Sequence, residues 1–262
     1  MGLPFSEKIG AVKPELHKLP LWCLKAATKL SGRSTGVSDD LKEEVYRLQC
    51  IFIHIPKCAG SAVQKGLFGS YIFGHQTIRQ YQIALPSTQY QNAWKFTVTR
   101  DPWERIVSAW RFLMSGVSDR TRLSVEDAEY FAENLSQYST FDHFVNDWLV
   151  HQNLHECGCL HFKPQLHYLR EFSGAIPTDC MVKLSDLSQE YEKLRRRFDG
   201  GELIVDNATK GEPVDYRSFY ASAETFANVS RIYADDIRAL GYSSHADSWA
   251  SCSETIDMEA KP

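Results

Sequence analysis

The sequence predicts an α/β protein with a central, mainly parallel sheet flanked by helices. Three short apolar runs rich in β-branched residues predict strands at residues 51–55, 93–99 and 180–184. Each run is followed by a segment in which apolar residues recur with helical spacing. Strands that alternate with helices are typical of parallel sheets, because each helix returns the chain for the next strand. With 262 residues and 43% hydrophobic content, the chain is long enough to bury a full core.

We expect a single α/β domain between two flanking segments. Residues 1–47 predict an N-terminal extension with an amphipathic helix near residues 21–30 and a linker rich in serine and glycine. The domain itself is expected to cover residues 48–242. Residues 243–262 are polar and predict a tail without packed structure.

The first predicted strand leads into a turn and a helix whose residue types suit an anion. Pro56 ends the strand, and the next residues are Lys57, Cys58, Ala59, Gly60 and Ser61. The alanine and glycine allow a ligand to approach the backbone, and the first turn of a helix offers N–H groups to an anion. The lysine adds a positive charge, and the serine adds a hydroxyl donor. We therefore predict a phosphate-binding cradle at residues 56–61.

The cradle differs from a Walker loop. In a Walker loop the lysine follows the second glycine, whereas Lys57 precedes Gly60 here. A P-loop kinase or NTPase would also need an aspartate at a strand end to bind Mg²⁺, and the sequence does not predict one. This enzyme class is therefore an alternative to the interpretation developed below.

The second predicted strand ends at Arg100 and is followed by a helix start. Asp101 suits an N-cap, and Pro102 suits the first helical position. If the first two strands are neighbours in a parallel sheet, their carboxyl ends lie at the same edge. We therefore expect Arg100, and Ser108 in the second turn of the helix, to lie beside the cradle.

Local signals also predict the later elements. Ser124 and Thr140 each precede an apolar pattern with helical spacing, so both are predicted helix caps. A helix is predicted after the third strand. A polar loop at 204–211 is then followed by one long predicted helix from 216 to 240.

Two segments, the cradle and residues 98–110, resemble motifs of sulfotransferases that use 3'-phosphoadenosine-5'-phosphosulfate (PAPS). The resemblance is to the carbohydrate-modifying, sulfotransferase family 2-like branch. We call these two segments the phosphate segments. The cradle resembles the family's 5'-phosphosulfate loop, and residues 98–110 resemble its 3'-phosphate-binding motif. Two positions depart from the family's commonest pattern, since Cys58 replaces a threonine and Ala62 replaces a second hydroxyl residue. The resemblance covers roughly residues 50–242. It includes the segment Phe162-Lys163-Pro164-Gln165, whose aromatic residue, proline and glutamine are similar to those of a segment that lines the acceptor side in the family.

The resemblance implies a P-loop-like sulfotransferase fold and transfer of the sulfuryl group of PAPS to an acceptor hydroxyl, on a carbohydrate or on another hydroxyl-bearing small molecule. It assigns PAPS to Lys57, Cys58, Ala59, Gly60 and Ser61 at the 5'-phosphosulfate and to Arg100 and Ser108 at the 3'-phosphate. Lys57 would also neutralise charge on the departing phosphate, a task suited to a compact ammonium group. The reaction requires no metal. A non-catalytic nucleotide-binding scaffold of the same fold is a second alternative.

The reaction needs a base for the acceptor hydroxyl, and His75 is our candidate. It follows the cradle after a short connection, and Gly74-His75 resembles the position of a catalytic histidine in the glycosaminoglycan-modifying branch. A neutral imidazole can accept a proton near neutral pH. His161 and His167 are the alternative bases. His54, on the first strand, is predicted to be a packed residue.

Composition argues against several other partners. The formal net charge of −4 gives no support for nucleic-acid binding, and no segment has the roughly 20 apolar residues needed to span a bilayer. Seven cysteines without regular spacing favour a reducing compartment, and the histidines and cysteines at 155–161 are poorly spaced for zinc. We expect a cytoplasmic protein, or a Golgi-lumen enzyme if a membrane anchor is missing from this chain. The acceptor's identity and the oligomeric state stay open.

Overall fold

The computed structural model describes residues 20–32, 34–118, 123–203 and 215–243. The predicted polar loop at 204–211 lies outside the described residues, as does the predicted tail from residue 244 onward.

The chain divides into two compact units, each assembled from two chain segments. The first unit contains the described residues of Met1–Arg100 and Asn153–Glu212, and the second contains those of Asp101–Gln152 and Pro213–Pro262. The cradle belongs to the first unit, and Arg100 is the last residue of that unit's first segment.

A three-stranded parallel sheet lies at the centre of the first unit. Its strands, in the order β1-β2-β3, are β1 (Cys50–Ile53), β2 (Trp94–Thr99) and β3 (Cys180–Lys183). Ile53 pairs with Thr97, and Thr99 pairs with Lys183. All of β1 is buried, and so is all of β2 except its first residue, as expected for a parallel sheet covered on both faces. The structure thus confirms the predicted α/β class, and each strand boundary lies within two residues of its prediction.

The helices surround the sheet in the first unit and pack on one another in the second. In chain order they are α1 (Leu21–Ser31), α2 (Asp39–Leu48), α3 (Gly60–Phe68), α4 (Ile78–Ala84), α5 (Ser87–Asn92), α6 (Pro102–Ser118), α7 (Val125–Asn134), α8 (Phe141–Asp147), α9 (Gln165–Leu169), α10 (Leu187–Phe198), α11 (Ala223–Ile232) and α12 (Ala234–Ala239). Short 3₁₀ helices cover Leu149–His151, Leu184–Asp186 and Tyr216–Phe219. Within the described ranges, no helix combines the length and apolar content needed to cross a bilayer.

The sequence analysis did not predict α2, which packs against β1. Ser38 caps this helix, because its hydroxyl accepts a hydrogen bond from the Leu41 N–H at 3.2 Å. Asp39 and Asp40 in the first turn complement the helix dipole. Val45 is fully buried, so this helix adds to the core of the first unit.

The second unit begins with a helix whose cap was predicted. Asp101 Oδ1 accepts hydrogen bonds from the N–H groups of Trp103 at 2.9 Å and Glu104 at 3.1 Å, and α6 begins at Pro102. The predicted caps at Ser124 and Thr140 are also confirmed, since their hydroxyls accept from backbone N–H groups of α7 and α8.

The single long helix predicted from 216 to 240 is wrong. The structure has a 3₁₀ helix followed by α11 and α12. Ser222 starts α11 by accepting a hydrogen bond from the Thr225 N–H at 3.1 Å. Tyr233, with φ −104° and ψ 23°, separates α11 from α12. The apolar spacing continues through both breaks, and so periodicity alone did not reveal them.

Candidate functional site

The cradle is a strained turn that joins β1 to α3. Lys57 and Ala59 have φ values of +67° and +57°, in the left-handed region that residues with a Cβ rarely adopt. This conformation costs roughly 1–2 kcal/mol per residue. Left-handed residues in tight turns can direct backbone N–H groups towards one point, which makes an anion-binding concavity. The next residue, Gly60, begins α3, so the first turn of that helix directly follows the strained turn.

Residue 60 has to be a glycine because the His54 ring lies close to its Cα and leaves no space for a side chain. A Cβ at Gly60 would lie 1.9 Å from His54 Cδ2 and 2.3 Å from His54 Nε2. The sequence pattern predicts that this glycine allows a ligand to approach the backbone. The structure gives it a different role, because the His54 ring fills the space that a side chain would need.

His54 is held in place by Gln64 and the segment before His75. Its Nδ1 lies 3.1 Å from the Phe73 carbonyl oxygen and 3.2 Å from Gln64 Nε2. The Gln64 side chain also accepts a hydrogen bond from the Ile72 N–H at 2.9 Å and donates one to the Phe73 carbonyl at 2.9 Å. Burial, together with the charge of the neighbouring His75, lowers the pKa of His54 to about 3. His54 is therefore a buried residue that is neutral at physiological pH, and its predicted packing role is confirmed.

His75 is oriented by a hydrogen bond to the backbone at the end of β1. Its Nδ1 lies 2.8 Å from the His54 carbonyl oxygen, and a carbonyl can only accept, so the proton is on Nδ1. Neutral His75 consequently carries its lone pair on Nε2, the nitrogen that would act as a base. The rings of His54 and His75 are 4.2 Å apart, centroid to centroid. The predicted base therefore lies beside the strand that leads into the cradle.

Arg100 joins the end of β2 to the cradle. Its Nη1 donates a hydrogen bond to the Lys57 carbonyl at 3.1 Å. Its backbone N–H donates to Gln165 Oε1 at 2.9 Å, and its carbonyl accepts from Gln165 Nε2 at 2.8 Å. The structure thus places the guanidinium of Arg100, which is predicted to bind the 3'-phosphate, against the backbone carbonyl of Lys57, which is predicted to bind the 5'-phosphosulfate.

The Cys58 side chain points into the protein. Its side chain is 1% exposed, and its Sγ lies 3.5 Å from Gln165 Oε1 and 3.7 Å from the Pro56 carbonyl oxygen. In the place where the resemblance puts a threonine hydroxyl, this chain therefore has a buried thiol. Ala59 and Ser61 are partly exposed.

The remaining predicted residues are Ser108, His161 and His167. Ser108 is on α6 and belongs to the second unit, so its predicted partnership with Arg100 stays a prediction. His161 is buried. Burial and the nearby Lys163 lower the pKa of His167 to about 3, which makes it a weak base.

The cysteines and potential metal ligands of the described ranges form no further site of this kind. Within the described ranges no cysteine is in a disulfide; these cysteines are Cys23, Cys50, Cys58, Cys157, Cys159 and Cys180. Within those same ranges, no group of three or more His, Cys, Asp or Glu residues is arranged to hold a metal ion.

A cleft of about 450 Å³ lies at the C-terminal end of α3, whereas the cradle lies at its N-terminal end. Its walls include Arg47, Lys65, Phe68, Phe198, Gly201 and Glu202. None of the predicted site residues lines this cleft, so it has no part in the chemistry assigned to the cradle.

Sequence reasoning missed the roles of Gln64 and Gln165. Both are fully buried amides that bind backbone groups beside the cradle. The only sequence signal for Gln165 is the segment Phe162-Lys163-Pro164-Gln165, whose resemblance to the family implies a place on the acceptor side. Gln64 carries no signal of its own, because it resembles any polar residue on a helix.

No protein-family model, no curated protein and no solved structure matches this chain. The resemblance to sulfotransferases therefore rests on the two phosphate segments and their surroundings.

Proposed function

We propose that this chain is a PAPS-dependent sulfotransferase that transfers a sulfuryl group to an acceptor hydroxyl on a carbohydrate. One observation carries the proposal: the segments that follow the neighbouring parallel strands β1 and β2 meet, where the Arg100 guanidinium donates a hydrogen bond to the backbone carbonyl of Lys57 at 3.1 Å. A nucleotide with separate 5' and 3' phosphate groups needs two cationic anchors at one site. The strained turn and the following helix N-terminus support the same assignment, because both favour an anion.

PAPS supplies the activated sulfuryl group. The backbone N–H groups of residues 58–61 and the Ser61 hydroxyl would bind oxygens of the 5'-phosphosulfate. Lys57 would offset the negative charge that develops on the departing 5'-phosphate. Arg100 would bind the 3'-phosphate, since a planar guanidinium presents its N–H donors in a fork that matches phosphate oxygens. Ser108 is the proposed second ligand of the 3'-phosphate.

His75 is the proposed general base. The acceptor hydroxyl would lose its proton to His75 Nε2 as its oxygen bonds to sulfur. The bond between sulfur and the bridging phosphate oxygen breaks in the same displacement and leaves 3'-phosphoadenosine-5'-phosphate (PAP). The hydrogen bond from Nδ1 to the His54 carbonyl supports this role, because it fixes the tautomer and would stabilise the imidazolium formed by proton transfer.

Thermal unfolding with PAP, 5'-AMP and Mg-ATP, each compared with protein alone, tests the donor. A ligand at 100 times its Kd adds about 2.7 kcal/mol of stability, or roughly 5–10 °C in Tm for a chain of this size. We expect PAP to give the largest shift. A larger shift with Mg-ATP would favour the kinase alternative. No shift with any nucleotide would contradict both proposals.

Transfer of labelled sulfate from PAPS to a panel of oligosaccharides then tests the reaction. We expect labelled product from at least one sugar and loss of that product in Lys57→Ala. Lys65→Ala is the matched control, because Lys65 lies on α3 at the end away from the cradle. PAP binding without transfer to any sugar, together with unchanged properties of His75→Ala, would favour the non-catalytic scaffold.

A further inference from the structure

Gln165 makes the hydrogen bonds that connect the cradle to Arg100. It is 0% exposed and begins α9 directly after Pro164. Its Oε1 accepts from the Arg100 N–H at 2.9 Å, and its Nε2 donates to the Arg100 carbonyl at 2.8 Å. The same Oε1 lies 3.5 Å from the thiol sulfur of Cys58. One buried amide therefore contacts both phosphate-binding segments.

We propose that Gln165 is a positioning residue that couples the two phosphate subsites; its effect on nucleotide binding rests on the proposed function. A primary amide presents a donor and an acceptor in one plane, as a peptide group does, so Gln165 can hold both backbone groups of Arg100. Because the backbone of Arg100 is held in place, the position of its guanidinium group is restricted. The guanidinium in turn holds the Lys57 carbonyl in its left-handed turn. The four residues thus form a closed loop of contacts through Cys58.

Two substitutions distinguish the contributions of the hydrogen-bond donor and the hydrogen-bond acceptor of the Gln165 amide. Gln165→Met keeps the approximate length of the side chain but removes both hydrogen-bonding groups. Gln165→Glu keeps the acceptor and regains a donor towards the Arg100 carbonyl only when it is protonated, which burial favours. Gln82→Met is the matched control, because Gln82 is also buried and its Oε1 accepts from the Phe172 N–H at 3.1 Å.

The first arm of the test needs no nucleotide. The alkylation rate of Cys58 by iodoacetamide is measured in the folded protein, with Cys50, which is fully buried in β1, as the internal reference. We expect Gln165→Met to raise the ratio of the Cys58 rate to the Cys50 rate about tenfold, equivalent to about 1.4 kcal/mol. Gln82→Met should leave this ratio unchanged. The same ratio in Gln165→Met and the wild type would overturn the proposal, whatever the protein binds.

The second arm measures the ratio of the Kd for 5'-AMP to the Kd for PAP, which reports the contribution of the 3'-phosphate. Gln165→Met should lower this ratio about tenfold, but it should cause no further loss in an Arg100→Ala background, because it acts through Arg100. Gln165→Glu should recover towards the wild type as the pH falls from 8 to 5.5, with the wild type measured at each pH. A merely structural glutamine would show neither the loss of additivity nor the recovery.

The two arms distinguish failure of this inference from failure of the proposed function. If Cys58 becomes reactive in Gln165→Met while the wild type binds neither nucleotide, the contact between the segments stands and the sulfotransferase proposal fails. If the wild type prefers PAP and Gln165→Met keeps the full preference, the coupling of the subsites is refuted.

Discussion

Substituting Gly60 by alanine would separate two explanations of that residue, namely access for a ligand and space for His54. The new Cβ would lie 1.9 Å from His54 Cδ2, a distance that real Cβ contacts do not show, so the ring must move. The ring cannot move without cost, because it stacks on Phe52 with centroids 5.6 Å apart and its Nδ1 lies 3.1 Å from the Phe73 carbonyl oxygen.

The magnitude follows from two opposing effects. Overpacking a filled site costs about 1–3 kcal/mol. Alanine in place of glycine in a helix stabilises the folded state by about 0.5–1 kcal/mol. We therefore expect Gly60→Ala to lower the free energy of unfolding by about 1–2 kcal/mol in urea denaturation.

A double-mutant cycle with His54→Ala tests the cause. Removing the imidazole ring opens the space that the alanine needs, so Gly60→Ala should cost little or nothing in the His54→Ala background. The coupling energy should be about 1–3 kcal/mol, because removing the ring cancels the cost of overpacking. Ser61→Ala is the control, because it adds no atom to the same turn. The reasoning is refuted if Gly60→Ala is as stable as the wild type or if the two substitutions act additively.

Further predictions concern the charge and the base of the proposed site and the pH dependence of stability. Lys57→Ala should lower turnover far more than PAP affinity, and unchanged turnover would remove Lys57 from the mechanism. His75→Ala should abolish turnover while PAP binding is retained; His143→Ala, an exposed histidine 2.9 Å from Asp147, is the control and should keep full turnover. His54 has a pKa of about 3 when folded and an ordinary value near 6.5 when unfolded, so the unfolded state binds more protons between these values. The free energy of unfolding should therefore fall as the pH decreases from about 6.5 towards 3, by at most about 1.4 kcal/mol per pH unit for this residue. His54→Ala should weaken that dependence, and an identical slope in wild type and variant would contradict the assignment.

Much of the sheet could be predicted because its strands are short, β-branched and followed by clear turn or cap residues. The approach of Arg100 to the cradle followed from one further step, namely that neighbouring parallel strands end at the same edge. The helices α4 and α5 were not predicted, because a region with glycine, proline and several glutamines lacks a strong apolar period. The capping box of Thr77 and Gln80 was the local signal that could have revealed α4.

The supporting contacts of the site could not be predicted from local pattern. Gln165 is 65 residues from Arg100 and 107 residues from Cys58 along the chain. Gly60 is constrained by a histidine ring six positions before it, in a geometry that depends on the turn between them. Such contacts arise from tertiary packing, whereas sequence patterns report mainly local preferences.

The central claim is that Arg100 binds a 3'-phosphate beside the cradle. Calorimetry tests it by measuring the affinities of the wild type and of Arg100→Ala for PAP and 5'-AMP. A charged hydrogen bond contributes about 1.5–3 kcal/mol, so the variant should lose roughly 10-fold to 100-fold in PAP affinity. It should lose much less for 5'-AMP, where only the support of the Lys57 carbonyl is removed. Equal losses for the two nucleotides, or no loss for either, would contradict the account.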